Sequence, residues 1–223
     1  MSDFIKEFEA FAACPLDLLC EPTPPLLYPD SNRPVFPLLA RKRPKEGRLV
    51  VTVRHRLAPP APAGELKLLR HVLGAQSRSF LRLYSKHNGF LLFQNDKYKY
   101  ARAGLEALPI RRWRGATATM TRFIKLSWSD DRFGVLFGVA FARVPRSEDF
   151  LVVTPTGPRA GQIFLVEGDG ATVSKIAGSF EDLLRRALKN PLRLMQQTGA
   201  CMGFWDERGI DWTPVRAVQK QCA

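Results

Sequence analysis

Hydrophobic and polar positions along the chain switch between two periods, and the switches predict its elements. Phe4, Phe8 and Phe11 fall at i, i+4 and i+7, one face of a helix that must end before Pro15. Over Arg48 to Arg54 the period becomes two, with Leu49, Val51 and Val53 on one side of a strand and Val50, Thr52 and Arg54 on the other. Beyond the breaker Pro59-Pro60-Ala61-Pro62, Leu66, Leu69 and Leu73 predict a helix over Glu65 to Leu73, closed by Gly74. Phe80 to Phe93 is the densest unit. Ser77 or Ser79 can cap a helix whose apolar stripe is Phe80, Leu83, Tyr84 and His87. Asn88 and Gly89 tolerate left-handed backbone and end it, and Phe90 to Phe93 follow directly as a buried strand.

The remaining pattern is of shorter pieces. Tyr98, Tyr100 and Ala101 alternate with Lys97, Lys99 and Arg102, and a short helix after Pro109 puts Trp113, Thr117 and Met120 on one face. Strands are expected near 122–127, 133–143, 149–154, 162–167 and 172–176. Ser179 caps a final helix with Phe180, Leu183, Leu184, Ala187 and Leu188 on its buried face, and Pro191 lies beyond its end. From Pro22 to Pro44, prolines exclude regular helix or central strand, yet Leu26, Leu27, Tyr28, Val35 and Phe36 argue against a solvated linker. That segment is expected to strap over the domain. The tail carries Phe204, Trp205 and Trp212, large rings that seek a pocket. The sum is an α+β fold, a mixed and mainly antiparallel sheet of about six strands with packed helices. An N-terminal helix and strap (1–47) precede a single domain (48–223).

Two stretches carry a family resemblance. A helix running through His87-Asn88-Gly89 into Phe90-Leu91-Leu92-Phe93 resembles the N-terminal signature of the SUKH superfamily. Gly161 to Gly170, followed by Lys175 to Leu184 with its Ser179-Phe180-Glu181, is similar to that family's closing strand pair and last helix. The likeness covers residues 62–190 and leaves 191–223 as an extension. The second glycine usual after Asn-Gly is Phe90 here, and Arg146-Ser147-Glu148-Asp149 stands where a Gly-Asp turn is common. The resemblance implies a protein-binding module rather than an enzyme. Within it, the role implied is a cytoplasmic immunity protein that binds and neutralises the toxin domain of a bacterial polymorphic or contact-dependent toxin system.

Composition refines this picture chiefly through charge. The net charge is +13, of which +10 falls on residues 61–125. A field of that size steers association with acidic partners. Lys97, Lys99, Arg102, Arg111, Arg112 and Arg114 are the candidate partner-binding residues, and an acidic protein face ranks ahead of nucleic acid. The alternative is a basic regulatory or nucleic-acid-associated protein, since cations interleaved with rings also suit phosphates and bases. The longest apolar run, Phe133 to Ala142, is half of what a bilayer crossing needs. Cys14, Cys20, Cys201 and Cys222 form no Cys-x-x-Cys pair, so they read as structural or idle thiols of a cytoplasmic protein, with no metal or other cofactor.

Candidate chemistry is sparse. Asp130-Asp131, Glu148-Asp149, Glu181-Asp182 and Asp206-Glu207 sit where turns and first helical turns want acids, and sequence neighbours do not share a face. No phosphate loop, nucleophile elbow or His-Glu-x-x-His pair occurs. His87, Asn88, Gly89, Ser179 and Phe180 are expected to be structural, and no catalytic residue is assigned.

Overall fold

The computed structural model describes residues 4–23, 47–95, 104–127, 137–168, 172–200, 204–205 and 211–220. Among them are six α-helices: α1 (Phe4–Ala13), α2 (Ala63–Leu73), α3 (Ser77–Tyr84), α4 (Ile110–Ser127), α5 (Phe180–Lys189) and α6 (Pro191–Thr198). Ten strands accompany them: β1 (Leu16–Pro22), β2 (Leu49–Leu57), β3 (Phe90–Gln94), β4 (Leu105–Ala107), β5 (Val139–Arg143), β6 (Phe150–Val153), β7 (Ile163–Val166), β8 (Val173–Ala177), β9 (Phe204–Trp205) and β10 (Asp211–Gln219). They form one sheet in the order β8-β7-β6-β5-β4-β3-β2-β1-β10-β9. Every pairing is antiparallel. The expected α+β class holds, but the sheet is larger than about six strands. The surplus is β1, the short β4, and the tail strands β9 and β10, none of which the sequence pattern predicts.

β2 is the joint of the sheet. Its first half, Leu49 to Val53, pairs with β1, and Arg54 to Leu57 pair with β3. Because β1 lies between β2 and β10, residues before position 47 share a sheet and a core with those after it. Of the tail's aromatics, Trp212 is buried on β10, which pairs with β1. The proline-rich strap lies outside the described residues.

Alternation in the middle strands sorts the core into two clusters. Phe141 of β5, Leu151 and Val153 of β6, and Ile163 and Leu165 of β7 join the larger one, with α1, α2, α3 and α5. Their neighbours Ala140, Phe150, Val152, Phe164 and Val166 join Met120 and Ile124 of α4 in the smaller one. Residues alternate faces in a strand, so a strand covered on both sides has no polar face. This is why Phe150–Val153 and Ile163–Val166 read as unbroken apolar runs. At the centre of the larger cluster, Phe80 stacks on Phe180 at 3.9 Å and meets Phe141 and Trp113 edge-on. Each such ring is worth about 1.5–3 kcal/mol of burial.

Five local expectations are corrected. Residues 122–127 are not a strand but the last turns of α4, whose apolar residues Trp113, Met120 and Ile124 keep helical spacing to the end. The helix after Ser179 is not the last: Asn190 caps a second one, accepting from Arg193 N–H, and Pro191 opens it at the first-turn position proline tolerates. Neither Ser77 nor Ser79 caps α3, which grows out of a 3₁₀ turn at Gly74–Gln76; the Ser77 hydroxyl instead donates to Gly74 O at 2.6 Å. The helix also stops at Tyr84, so His87 leaves its stripe and Asn88-Gly89 is not its cap. The expected strand 133–143 narrows to β5, with 128–136 outside the described residues.

Phe93 marks a bulge. Opposite β2's two-residue step from Arg54 to Arg56, β3 advances from Gln94 to Leu91, and Phe93 takes φ +60. A non-glycine residue there costs about 1–2 kcal/mol. Leu92 and Phe93 consequently both point inward, and burial of the Phe93 ring against Phe11 and His55 offsets the strain. The Phe93 N–H donates to His55 Nδ1 at 3.1 Å. Burial pushes the His55 imidazole down to about 4.

The cysteines also depart from expectation. Cys14 is disulfide-bonded, whereas Cys20 is a buried free thiol that burial pushes up to about 12. The expected free thiol, structural or idle, is therefore wrong for Cys14, and a disulfide is the chemistry of an oxidising compartment. No helix among the described residues is long and apolar enough to cross a membrane.

Candidate interaction surface

Three basic residues of the expected patch, Arg111, Arg112 and Arg114, lie in the first turns of α4. Pro109 cannot extend the preceding strand, and the chain turns into the helix with Trp113 as anchor. The Trp113 indole donates to Leu108 O at 2.9 Å, and the Tyr84 hydroxyl donates to the same oxygen at 3.1 Å. Burial raises the Tyr84 phenol above its usual range, so it stays neutral. With Trp113 inward, Arg111, Arg112 and Arg114 are left exposed around it.

These three arginines are not equivalent. Glu106 of β4 holds Arg143 of the neighbouring strand at 2.6 Å and reaches Arg112 at 3.7 Å. One carboxylate is thus shared by two guanidinium groups. Arg111 and Arg114 make no ion pair among the described residues. Lys97, Lys99 and Arg102, the other half of the expected patch, lie outside the described residues.

The motif residues make contacts within the fold. Asn88 ties three elements: its Nδ2 donates to Glu65 Oε2 of α2 at 2.8 Å, its Oδ1 accepts from Ile110 N–H at 3.1 Å, and its own N–H donates to Pro59 O at 2.6 Å. It therefore serves the first turn of α4, not the end of α3. Gly89 has φ +103, and a Cβ there would run into the Ala107 carbonyl oxygen. His87 places Nδ1 3.1 Å from Ala58 O and Nε2 2.9 Å from Glu9 Oε1, clamping α1 to the loop. That bond to His87, helped by Lys86, holds the Glu9 carboxyl below its ordinary value. Ser179 caps α5 as expected, accepting from Asp182 N–H at 3.1 Å, and Phe180 is core.

Asp149, Glu181 and Asp182 of the acidic pairs are likewise engaged within the fold. Asp149 Oδ1 accepts from Gly168 N–H, while Glu181 and Asp182 pair with Arg185 and Arg186 one turn on. Asp130, Asp131, Asp206 and Glu207 lie outside the described residues. No group of three His, Cys, Asp or Glu side chains with metal-binding geometry occurs among the described residues.

Two cations escaped the sequence reading. Arg122 and Lys125 belong to α4 and are exposed, but a strand at 122–127 separated them from the arginines of the first turn. The signal was present in Ile110, Trp113, Met120 and Ile124, which keep one helical face across the whole segment. No protein-family model matches the chain, and no curated protein matches it.

Proposed function

We propose that this chain is a non-catalytic protein-binding module, an immunity protein of SUKH type that neutralises a bacterial toxin domain by occupying it. The observation that carries this reading is the exposed face of α4. Its cations have no acidic partner within the helix, and Glu106 of β4 is shared between Arg112 and Arg143. Such a face attracts an acidic protein surface and speeds the encounter. The order of the Asn-Gly and Ser-Phe-Glu motifs supports the family. The mechanism needs no proton transfer: the module folds a rigid basic helix onto a sheet and presents it.

Co-expression with the C-terminal toxin domain encoded beside the chain tests this. Growth should be protected, and the two proteins should leave a sizing column together. Protection without a complex would contradict the proposal. So would loss of protection when Glu148, Asp149, Glu181 and Asp182 become amides in a variant that still folds.

A further inference from the structure

Four cations of α4 form one row on the side away from its buried residues. At 100° per residue, Arg111, Arg114, Arg122 and Lys125 fall within an arc of about 100°, opposite Trp113, Met120 and Ile124. All four are exposed, and none makes an ion pair among the described residues. The row is about 21 Å long at 1.5 Å per residue. α4 contains no acid at all.

Gly115 and Ala118 occupy the same arc, between the two pairs of cations, and leave a shallow saddle. Glycine weakens a helix interior relative to alanine. Among the described residues nothing requires a glycine at 115: a Cβ built on it meets nothing within 4 Å, and it is absent from the positive-φ glycines. An open glycine in the middle of a charged row points to something outside the chain that approaches closely. Packed helices lie about 8–10 Å apart according to the side chains at their crossing, and glycine with alanine permits the near end of that range.

We propose that α4 docks an acidic helix of a protein partner, crossing at Gly115 and Ala118 with its carboxylates reaching Arg111 and Arg114 on one side and Arg122 and Lys125 on the other. Single-stranded nucleic acid fits less well, since it needs flat rings along the cations and Trp113 faces inward. Duplex DNA would use the charge but has no need of the saddle. This deepens the proposed function by naming the partner's element, and it depends on that reading only for the class of partner.

The test uses the full chain and a fluorescein-labelled alanine-rich helical peptide with glutamates at the spacing of the four cations. Anisotropy is compared with that of a random DNA duplex. The parent protein should bind the peptide, and Arg122→Glu with Lys125→Glu should weaken it by about tenfold. Gly115→Trp should weaken it as much while the melting temperature stays at or above the parent's. Unchanged peptide binding in Gly115→Trp, or no peptide binding by the parent, would overturn the inference. So would a duplex that outcompetes the peptide with a log–log salt slope of about −0.9 per phosphate contacted. Toxin neutralisation that persists in Gly115→Trp would sink this inference alone. Peptide binding that follows the predicted pattern, without toxin binding, would sink the proposed function alone.

Discussion

Replacing Asn88 by alanine isolates the three-way tie between α2, the loop and α4. The change removes the acceptor for Ile110 N–H, a loss of about 1 kcal/mol typical of a missing helix cap. It also removes the 2.8 Å bond to Glu65, a carboxylate that is half-exposed and can turn to water, so the lower end of the range for charged hydrogen bonds applies, about 1.5 kcal/mol. The sum is about 2–3 kcal/mol, or about 5–10 °C in melting temperature for a chain of this size. Urea unfolding of Asn88→Ala, Glu65→Ala and the double variant closes a cycle, and a coupling of about 1 kcal/mol is expected. Gly89→Ala should cost more than Asn88→Ala, because it adds a disfavoured φ to a clash with the Ala107 carbonyl. An Asn88→Ala midpoint equal to the parent's, or zero coupling with Glu65, would refute the tie.

Two further predictions concern His55 and the cysteines. His55 is neutral in the fold and protonates more easily when unfolded, so its contribution is complete above about pH 6.5 and is lost as pH falls toward 4. The loss amounts to about 3 kcal/mol, and stability measured from pH 7 to 4 should flatten over that window in His55→Gln; a slope shared by both proteins would exclude His55 as its source. Alkylation of the unfolded protein should add two groups without reductant and four with it, since Cys14 is disulfide-bonded and the chain has four cysteines. Four groups before reduction would show the bond absent.

Legibility followed whether a residue's role was decided nearby in sequence. Ser179 and the stripe of α5 were readable because a cap and an amphipathic face are local. The two-sided burial of β6 and β7 showed as unbroken apolar runs. β1 was missed because its buried residues Leu16, Leu18 and Cys20 find their partners on β2 and β10, the latter some two hundred residues away. Asn88 looked like a helix end because Asn-Gly is a strong local signal, whereas its partners Glu65 and Ile110 are brought in only by the fold. The basic surface was half legible: the arginines around Trp113 stand out, but threonine and phenylalanine at 121–123 read as strand and hid Arg122 and Lys125.

The most direct measurement is a titration of the toxin domain's activity with the purified chain. Neutralisation by occupancy predicts inhibition that rises in proportion to added protein and is complete near one equivalent. The charge-reversed Arg111→Glu and Arg114→Glu variant should associate more slowly, with little change in dissociation. A single molecule silencing many toxin molecules over time would show catalysis, and full activity at excess chain would show that this toxin is not its target; either result contradicts neutralisation by binding.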